Sequence, residues 1–142
     1  MAPTTEATGG CLCGAVRYEI TGPMRRVVYC HCAQCRKTSG HFVAATAVAP
    51  EHLNITQDSG LEWYRSSAIA DRGFCRHCGS SLFWRPGHGE YMAVMAGALD
   101  APTGLSSREH IHTADASDYY SITDGLPQYP HEHADLWEED GV

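Results

Sequence analysis

Seven cysteines in three tight groups constrain this chain of 142 residues more than any other feature. Cys11 and Cys13 form C-x-C, Cys30, Cys32 and Cys35 form C-x-C-x-x-C, and Cys75 and Cys78 form C-x-x-C. Seven thiols cannot all pair as disulfides, and the clustering speaks against buried free thiols acting as small hydrophobes. Metal ligation is the reading that uses every one of them.

Counting ligands divides the set. A structural zinc takes four ligands in a tetrahedron. The two pairs supply four, whereas a closed site that used the whole triple would take one member of a pair and orphan the other. The simplest partition puts Cys11, Cys13, Cys75 and Cys78 around one zinc and Cys30, Cys32 and Cys35 around a second. In Cys75-Arg76-His77-Cys78-Gly79 the two-residue gap lets the chain turn back, with Gly79 free to take positive φ after the turn. In Cys11-Leu12-Cys13 an extended backbone puts alternate side chains on one side. Sharing a zinc between pairs roughly sixty residues apart closes a long loop at a cost that rises only slowly with length.

Three protein ligands with a free position is the pattern of a catalytic zinc. Three thiolates outweigh the 2+ charge, so the centre is a poor Lewis acid toward water and suits a fourth thiolate from a substrate. That points to making or breaking a carbon–sulfur bond in a small thiol adduct. No G-x-G-x-x-G element indicates hydride chemistry, and no G-x-S-x-G elbow indicates a serine hydrolase. The competing reading closes the triple with His31, His41 or Asp71 and makes it structural. His31 lies between two ligands and, in an extended stretch, points away from them, which suits a supporting role.

The rest of the chain reads as short strands. Residues 15–20 alternate apolar and polar before the turn signal Gly22-Pro23. Residues 27–29, 61–65, 81–84 and 91–95 are further β-rich runs, and 42–48 is an apolar stretch whose alanines weaken the strand signal. Residues 50–53 suit one helical turn, and 98–102 a loop. The expectation is a mainly β domain with little helix, its core helped by metal. Residues 1–8 read as a flexible tail, 9–130 as the zinc-binding domain, and 131–142 as an acidic, His-containing extension.

A net charge of −7 with ten Lys and Arg argues against nucleic acid as a partner. No apolar run approaches the ~20 residues of a transmembrane helix. The first residues lack the basic and apolar segments of a signal peptide, so a cytoplasmic location is expected, where thiols stay reduced.

Three stretches carry a resemblance. Residues 9–18 (GGCLCGAVRY), 30–37 (CHCAQCRK) and 73–80 (GFCRHCGS), with Asp124-Gly125-Leu126-Pro127-Gln128-Tyr129 later, resemble the glutathione-dependent formaldehyde-activating enzyme family, which includes centromere protein V. The resemblance spans about residues 9–130. It implies a β-tent fold of stacked antiparallel sheets and the same partition: Cys11, Cys13, Cys75 and Cys78 on a structural zinc, Cys30, Cys32 and Cys35 on a catalytic one. It further implies a carbon–sulfur lyase-type activity, the condensation of formaldehyde with glutathione to S-hydroxymethylglutathione. The alternative from the family's cytoskeletal relatives is a non-catalytic, zinc-stabilised binding or interaction module.

Other side chains are weighed against plainer roles. Arg36 and Lys37 follow the triple and suit a carboxylate, or else form a solvated basic pair. His110 and His112 fit an ordinary strand better than a pocket wall. Trp63, Phe83 and Trp84 fit the core, and His131 and His133 a mobile tail.

Overall fold

The structure is a computed structural model that describes residues 5–133. Ten strands run in chain order as β1 (Ala7–Gly10), β2 (Arg17–Ile20), β3 (Val27–Cys30), β4 (Val43–Val48), β5 (Leu53–Gln57), β6 (Leu61–Arg65), β7 (Ala70–Cys75), β8 (Ser81–Pro86), β9 (Met92–Met95) and β10 (Ser107–Ile111). One α-helix, α1 (Ala33–Ser39), and three single 3-10 turns complete the described residues. Strands β1-β2-β5 form a small sheet and β10-β3-β4-β9-β8-β7-β6 a large one. The mainly β class, the stacked sheets and the scarcity of helix match expectation. One pair departs from the antiparallel rule: β10 runs parallel to β3, with His110 opposite Tyr29 and Ile111 opposite Cys30.

Alternation along the strands divides the interior in two. On β2, Tyr18 and Ile20 are buried while Arg17 and Glu19 are only partly so. Together with Val16 they pack on Val48, Leu82, Phe83 and Val94 of the large sheet. Tyr18 meets Phe83 edge-on at 5.3 Å between centroids. Each such buried side chain contributes roughly 1.5–3 kcal/mol, so this inter-sheet layer dominates stability. The opposite face of the large sheet presents Val43, Ala45, Ala47, Ala93 and Met95, which pack with Cys35 of α1 and with Tyr91. This second layer is built largely from small side chains.

Several boundaries differ from the reading of the sequence. Ala7 and Thr8, assigned there to the tail, already lie in β1 and pair with Ile20 and Glu19. At the other end, His133 Nδ1 bonds Glu109 Oε2 at 2.6 Å, and the His131 carbonyl accepts from the His112 amide at 3.1 Å, so the start of the expected extension is docked. Residues 1–4 of that tail and 134–142 of that extension lie outside the described residues. Strands β5 and β7 and helix α1 were not foreseen. No helix among the described residues is long and apolar enough to cross a membrane.

Candidate metal centres

Cys11 and Cys13 lie just past β1, Cys75 ends β7, and Cys78 sits in the turn to β8. The fold brings these four sulfurs within 4.8 Å of one another. Cys13 Sγ is 3.7 Å from both Cys11 Sγ and Cys75 Sγ. That is far beyond a disulfide bond and equals, within 0.1 Å or so, the ~3.8 Å edge of a tetrahedron with zinc ~2.3 Å from each sulfur. Gly14 (φ 87°) and Gly79 (φ 79°) reverse the chain after each pair. The Val16 amide donates to Cys11 Sγ at 3.2 Å, and the Ser80 hydroxyl lies 3.2 Å from Cys78 Sγ. Ser80 holds the Cys78 thiol down to about 5. Against the lowering effect of the Ala15 amide, desolvation and the sulfurs of Cys11, Cys75 and Cys78 push Cys13 up to about 11. Four thiolates at this spacing repel one another, and a divalent cation removes that conflict. The donor set fits zinc.

The second cluster joins strand and helix. Cys30 ends β3, Cys32 is the N-cap of α1 with extended backbone (φ −64°, ψ 161°), and Cys35 is buried in its first turn. The Cys35 amide donates to Cys32 Sγ at 3.3 Å, as an N-cap acceptor requires. The three sulfurs also lie within 4.8 Å of one another. Contacts from Cys30 and Cys35 draw the Cys32 thiol down to about 2, while the contact with Cys32 drives Cys30 far up. One thiolate held by two thiols is how three converging sulfurs share charge, and replacing the protons with a soft divalent ion fits the same donors. Both clusters are able to hold a metal ion.

None of the three suggested closing ligands joins the triple among the described residues. His31 turns to the other side of β3. His41 is exposed and its Nδ1 bonds Tyr119 OH at 2.6 Å. Asp71 pairs with Arg65 and Arg85 at 3.4 and 3.3 Å.

Beside the triple opens a cavity of about 380 Å³, lined by Cys30, Cys32 and Cys35 at one end and by Val43, Ala45, Ala93 and Met95 of the sheet. Trp84 and Tyr91, whose rings lie 6.1 Å apart, form part of its wall. Phe83 is core, Trp63 stacks on it at 5.9 Å and carries the Arg85 guanidinium over its ring at 3.8 Å, and of these three large aromatics only Trp84 lines the cavity. His112 also lines it, with φ 55°, an uncommon conformation for a residue other than glycine. Arg25 and Arg72 line it too, 3% and 7% exposed. Arg25 donates to the carbonyls of Ala45 (2.9 Å) and Arg26 (3.2 Å). Arg72 Nη2 lies 3.3 Å from Gln34 Oε1 and 3.8 Å from Cys35 Sγ. Arg36 and Lys37, read from the sequence as a solvated basic pair or a carboxylate site, do not line the cavity. The reading of the sequence missed Arg25 and Arg72, which no local motif marks.

Behind β3 runs a polar chain centred on two buried histidines. His31 Nδ1 contacts Tyr120 OH, His31 Nε2 lies 2.8 Å from His110 Nδ1, and His110 Nε2 lies 2.8 Å from Asp124 Oδ2. Burial, then the charge of His110, hold His31 down to about 4, so it is neutral at ordinary pH. His110 thus sits in a strand, as expected, but as a buried hydrogen-bonding group.

Comparison with known proteins bears on the family and the fold. The family described as glutathione-dependent formaldehyde-activating enzyme matches residues 6–115. An uncharacterized lyase of Schizosaccharomyces pombe is 30% identical over 80 residues, covering 56% of this chain and 57% of the yeast protein. The match thus spans little more than half of that relative's length. A Rhodobacter sphaeroides protein of known crystal structure superimposes with a TM-score of 0.53 at 21% identity, over 86% of this chain and 98% of its own, a likeness of fold.

Proposed function

The chain belongs to the glutathione-dependent formaldehyde-activating enzyme family, and from that premise we propose that it is a zinc-dependent lyase of carbon–sulfur bonds acting on a small thiol adduct, S-hydroxymethylglutathione. The observation that carries the reading is the contrast between its two clusters. Four sulfurs converge in one cluster, whereas the cluster of Cys30, Cys32 and Cys35 has three and lines a cavity of about 380 Å³. In this reading Cys11, Cys13, Cys75 and Cys78 hold a structural zinc and the other three hold the catalytic one.

Cys30, Cys32 and Cys35 would hold the zinc, which would supply a lowered pKa to an arriving thiol and an anchor for its sulfur. The chain supplies the rest. Val43, Ala45, Ala93 and Met95 exclude water from the reacting carbon, and the Trp84 and Tyr91 rings bound the space in which formaldehyde meets sulfur. As the C–S bond forms, the carbonyl π pair moves to oxygen, and that oxygen takes the proton the thiol gave up. Cleavage is the reverse. His112, the imidazole in the cavity lining, is the group we assign to hold that proton in transit. Seven reduced thiols suit a reducing compartment, so we propose that the protein works in the cytoplasm.

Two measurements test this. Elemental analysis should find two zincs per wild-type chain and one in a folded Cys32→Ser variant. Two zincs retained in that variant, or loss of its fold, would count against an open centre. Exchange NMR of formaldehyde with glutathione should show acceleration by wild type and not by Cys32→Ser. Absence of acceleration at any enzyme concentration would remove this substrate.

A further inference from the structure

We propose that Arg72 binds a carboxylate of the thiol taken at the three-cysteine centre, so that the cavity selects acidic thiols over neutral ones. The inference rests on the reading of that centre as a thiol site and goes on to name what the cavity recognises besides sulfur.

Arg72 lies on β7, 7% exposed. Its Nη2 is engaged by Gln34 Oε1 at 3.3 Å and approaches Cys35 Sγ at 3.8 Å. Its Nε is buried and has no hydrogen-bond partner. A buried guanidinium edge without an acceptor is costly, so an unfilled Nε beside a cavity marks a place for one. Arg36 Nε is likewise buried without a partner, but Arg36 does not line the cavity, and several other arginines have carboxylates. Arg17 pairs with Asp100, Arg65 and Arg85 with Asp71, and Arg108 with Glu109, whereas no carboxylate pairs with Arg72 among the described residues.

The neighbouring groups do not supply the need. Asp71 is adjacent in sequence, but strand alternation sends it to the other face, where its two oxygens serve Arg65 and Arg85. Cys35 Sγ offsets charge, yet one sulfur at 3.8 Å is a weak acceptor and cannot match the planar fork. A carboxylate offers two oxygens in the required geometry. The cavity lining that includes Arg72 is part apolar, with Ala93, Met95 and Trp84, and part polar, with Gln34 and Ser67, so an anion bound there is only partly exposed to screening by water. Glu132 lines the same cavity and disfavours an anion near itself. Because Arg72 Nη2 lies 3.8 Å from Cys35 Sγ, a carboxylate on Arg72 is within reach of a small molecule whose sulfur is held by the centre.

The test uses the full chain loaded with cobalt(II), whose thiolate charge-transfer absorption changes when a further sulfur binds. Wild type and Arg72→Gln are titrated with 3-mercaptopropionate and with its neutral isostere 3-mercaptopropionamide. Wild type should bind the acid roughly tenfold more tightly than the amide, and Arg72→Gln should bring the two within about twofold by weakening the acid alone. A purely structural Arg72 would weaken both thiols alike. Equal binding of acid and amide by wild type, or a preference that survives Arg72→Gln, overturns the inference while leaving the thiol-site reading intact. If neither thiol changes the absorption of wild type, that reading fails and the inference falls with it. Should Arg72→Gln fail to fold, as judged by circular dichroism, the acid–amide ratio of wild type decides.

Discussion

His31 Nε2 and His110 Nδ1 lie 2.8 Å apart in the interior, joining the strand that carries Cys30 to a strand that runs parallel beside it. The two rings are 0% and 3% exposed, and Asp124 and Tyr120 satisfy their outer nitrogens. Because His31 is flanked by Cys30 and Cys32, this chain of contacts fixes one side of the three-cysteine segment from behind. His31, held neutral, can donate from one ring nitrogen and accept at the other, so its two contacts depend on each other.

His110→Ala should therefore lower stability by about 2–4 kcal/mol, combining a cavity with an orphaned nitrogen on His31. Urea unfolding curves will measure it. A change below about 0.5 kcal/mol, the size of an ordinary surface substitution, would show that the histidine chain contributes no more than its packing does elsewhere.

How far the sequence disclosed this molecule depends on the range of the interaction. The cysteine groups were legible because ligand spacing is local, and Tyr18 and Ile20 because a half-buried strand alternates. Residues 33–39 gave no helical signal because two turns are too short for periodicity to register, and the helix is held by its Cys32 cap instead. Strand β7 reads ADRGFC, with neither alternation nor an apolar run. Its Gly73 is needed because a Cβ there would stand 2.9 Å from the Trp63 ring and 3.0 Å from that of Phe83. The alanines that weakened the β4 signal have a tertiary reason: at Ala45 they leave space for the cavity. Arg72 stood out in neither composition nor motif, since its meaning comes from contacts with Gln34 and Cys35 across the fold.

A pH dependence follows from the small sheet. The Arg17 guanidinium, 2.6 Å from Asp100 Oδ2, and the Thr8 hydroxyl, also at 2.6 Å, hold the Asp100 carboxyl below the usual carboxylate range. A depressed folded-state pKa contributes stability above the unfolded value of about 3.9 and loses it as pH falls through the folded value. Asp100→Asn should thus unfold at lower urea than wild type at pH 7, and the two midpoints should converge as pH falls below about 3.9 toward the depressed folded value. Because the pair is solvent-exposed, the gap at pH 7 should also shrink in high salt. A gap that persists unchanged to pH 2 would assign the effect to packing rather than charge.

The two centres should release metal differently. Cys13 and Cys75 are 62 residues apart, so a metal between them ties β1 to the β7–β8 turn and constrains the unfolded chain over a long loop. Cys30, Cys32 and Cys35 span one strand end and one helical turn, and their metal closes almost no loop. Mild chelation should remove one equivalent with the far-UV circular dichroism unchanged, and stronger chelation the second together with the β signal. Simultaneous loss of both equivalents with the fold would mean that the three-cysteine centre is as structural as the other.

Filling the cavity separates ligand space from core. Ala45 and Ala47 lie on the same face of β4, and both are buried, but only Ala45 lines the cavity. A leucine at 45 has about 380 Å³ to enter, whereas at 47 it meets packed neighbours in a close-packed interior. Ala47→Leu should cost about 1–3 kcal/mol by overpacking, and Ala45→Leu less than about 1.5 kcal/mol. The order should reverse for binding: Ala45→Leu should weaken 3-mercaptopropionate by roughly tenfold or more, and Ala47→Leu by less than about twofold. Thermal midpoints and cobalt titrations on the same samples give both numbers. If the two variants lose stability equally and bind the thiol alike, the space beside the three sulfurs is not where the thiol goes.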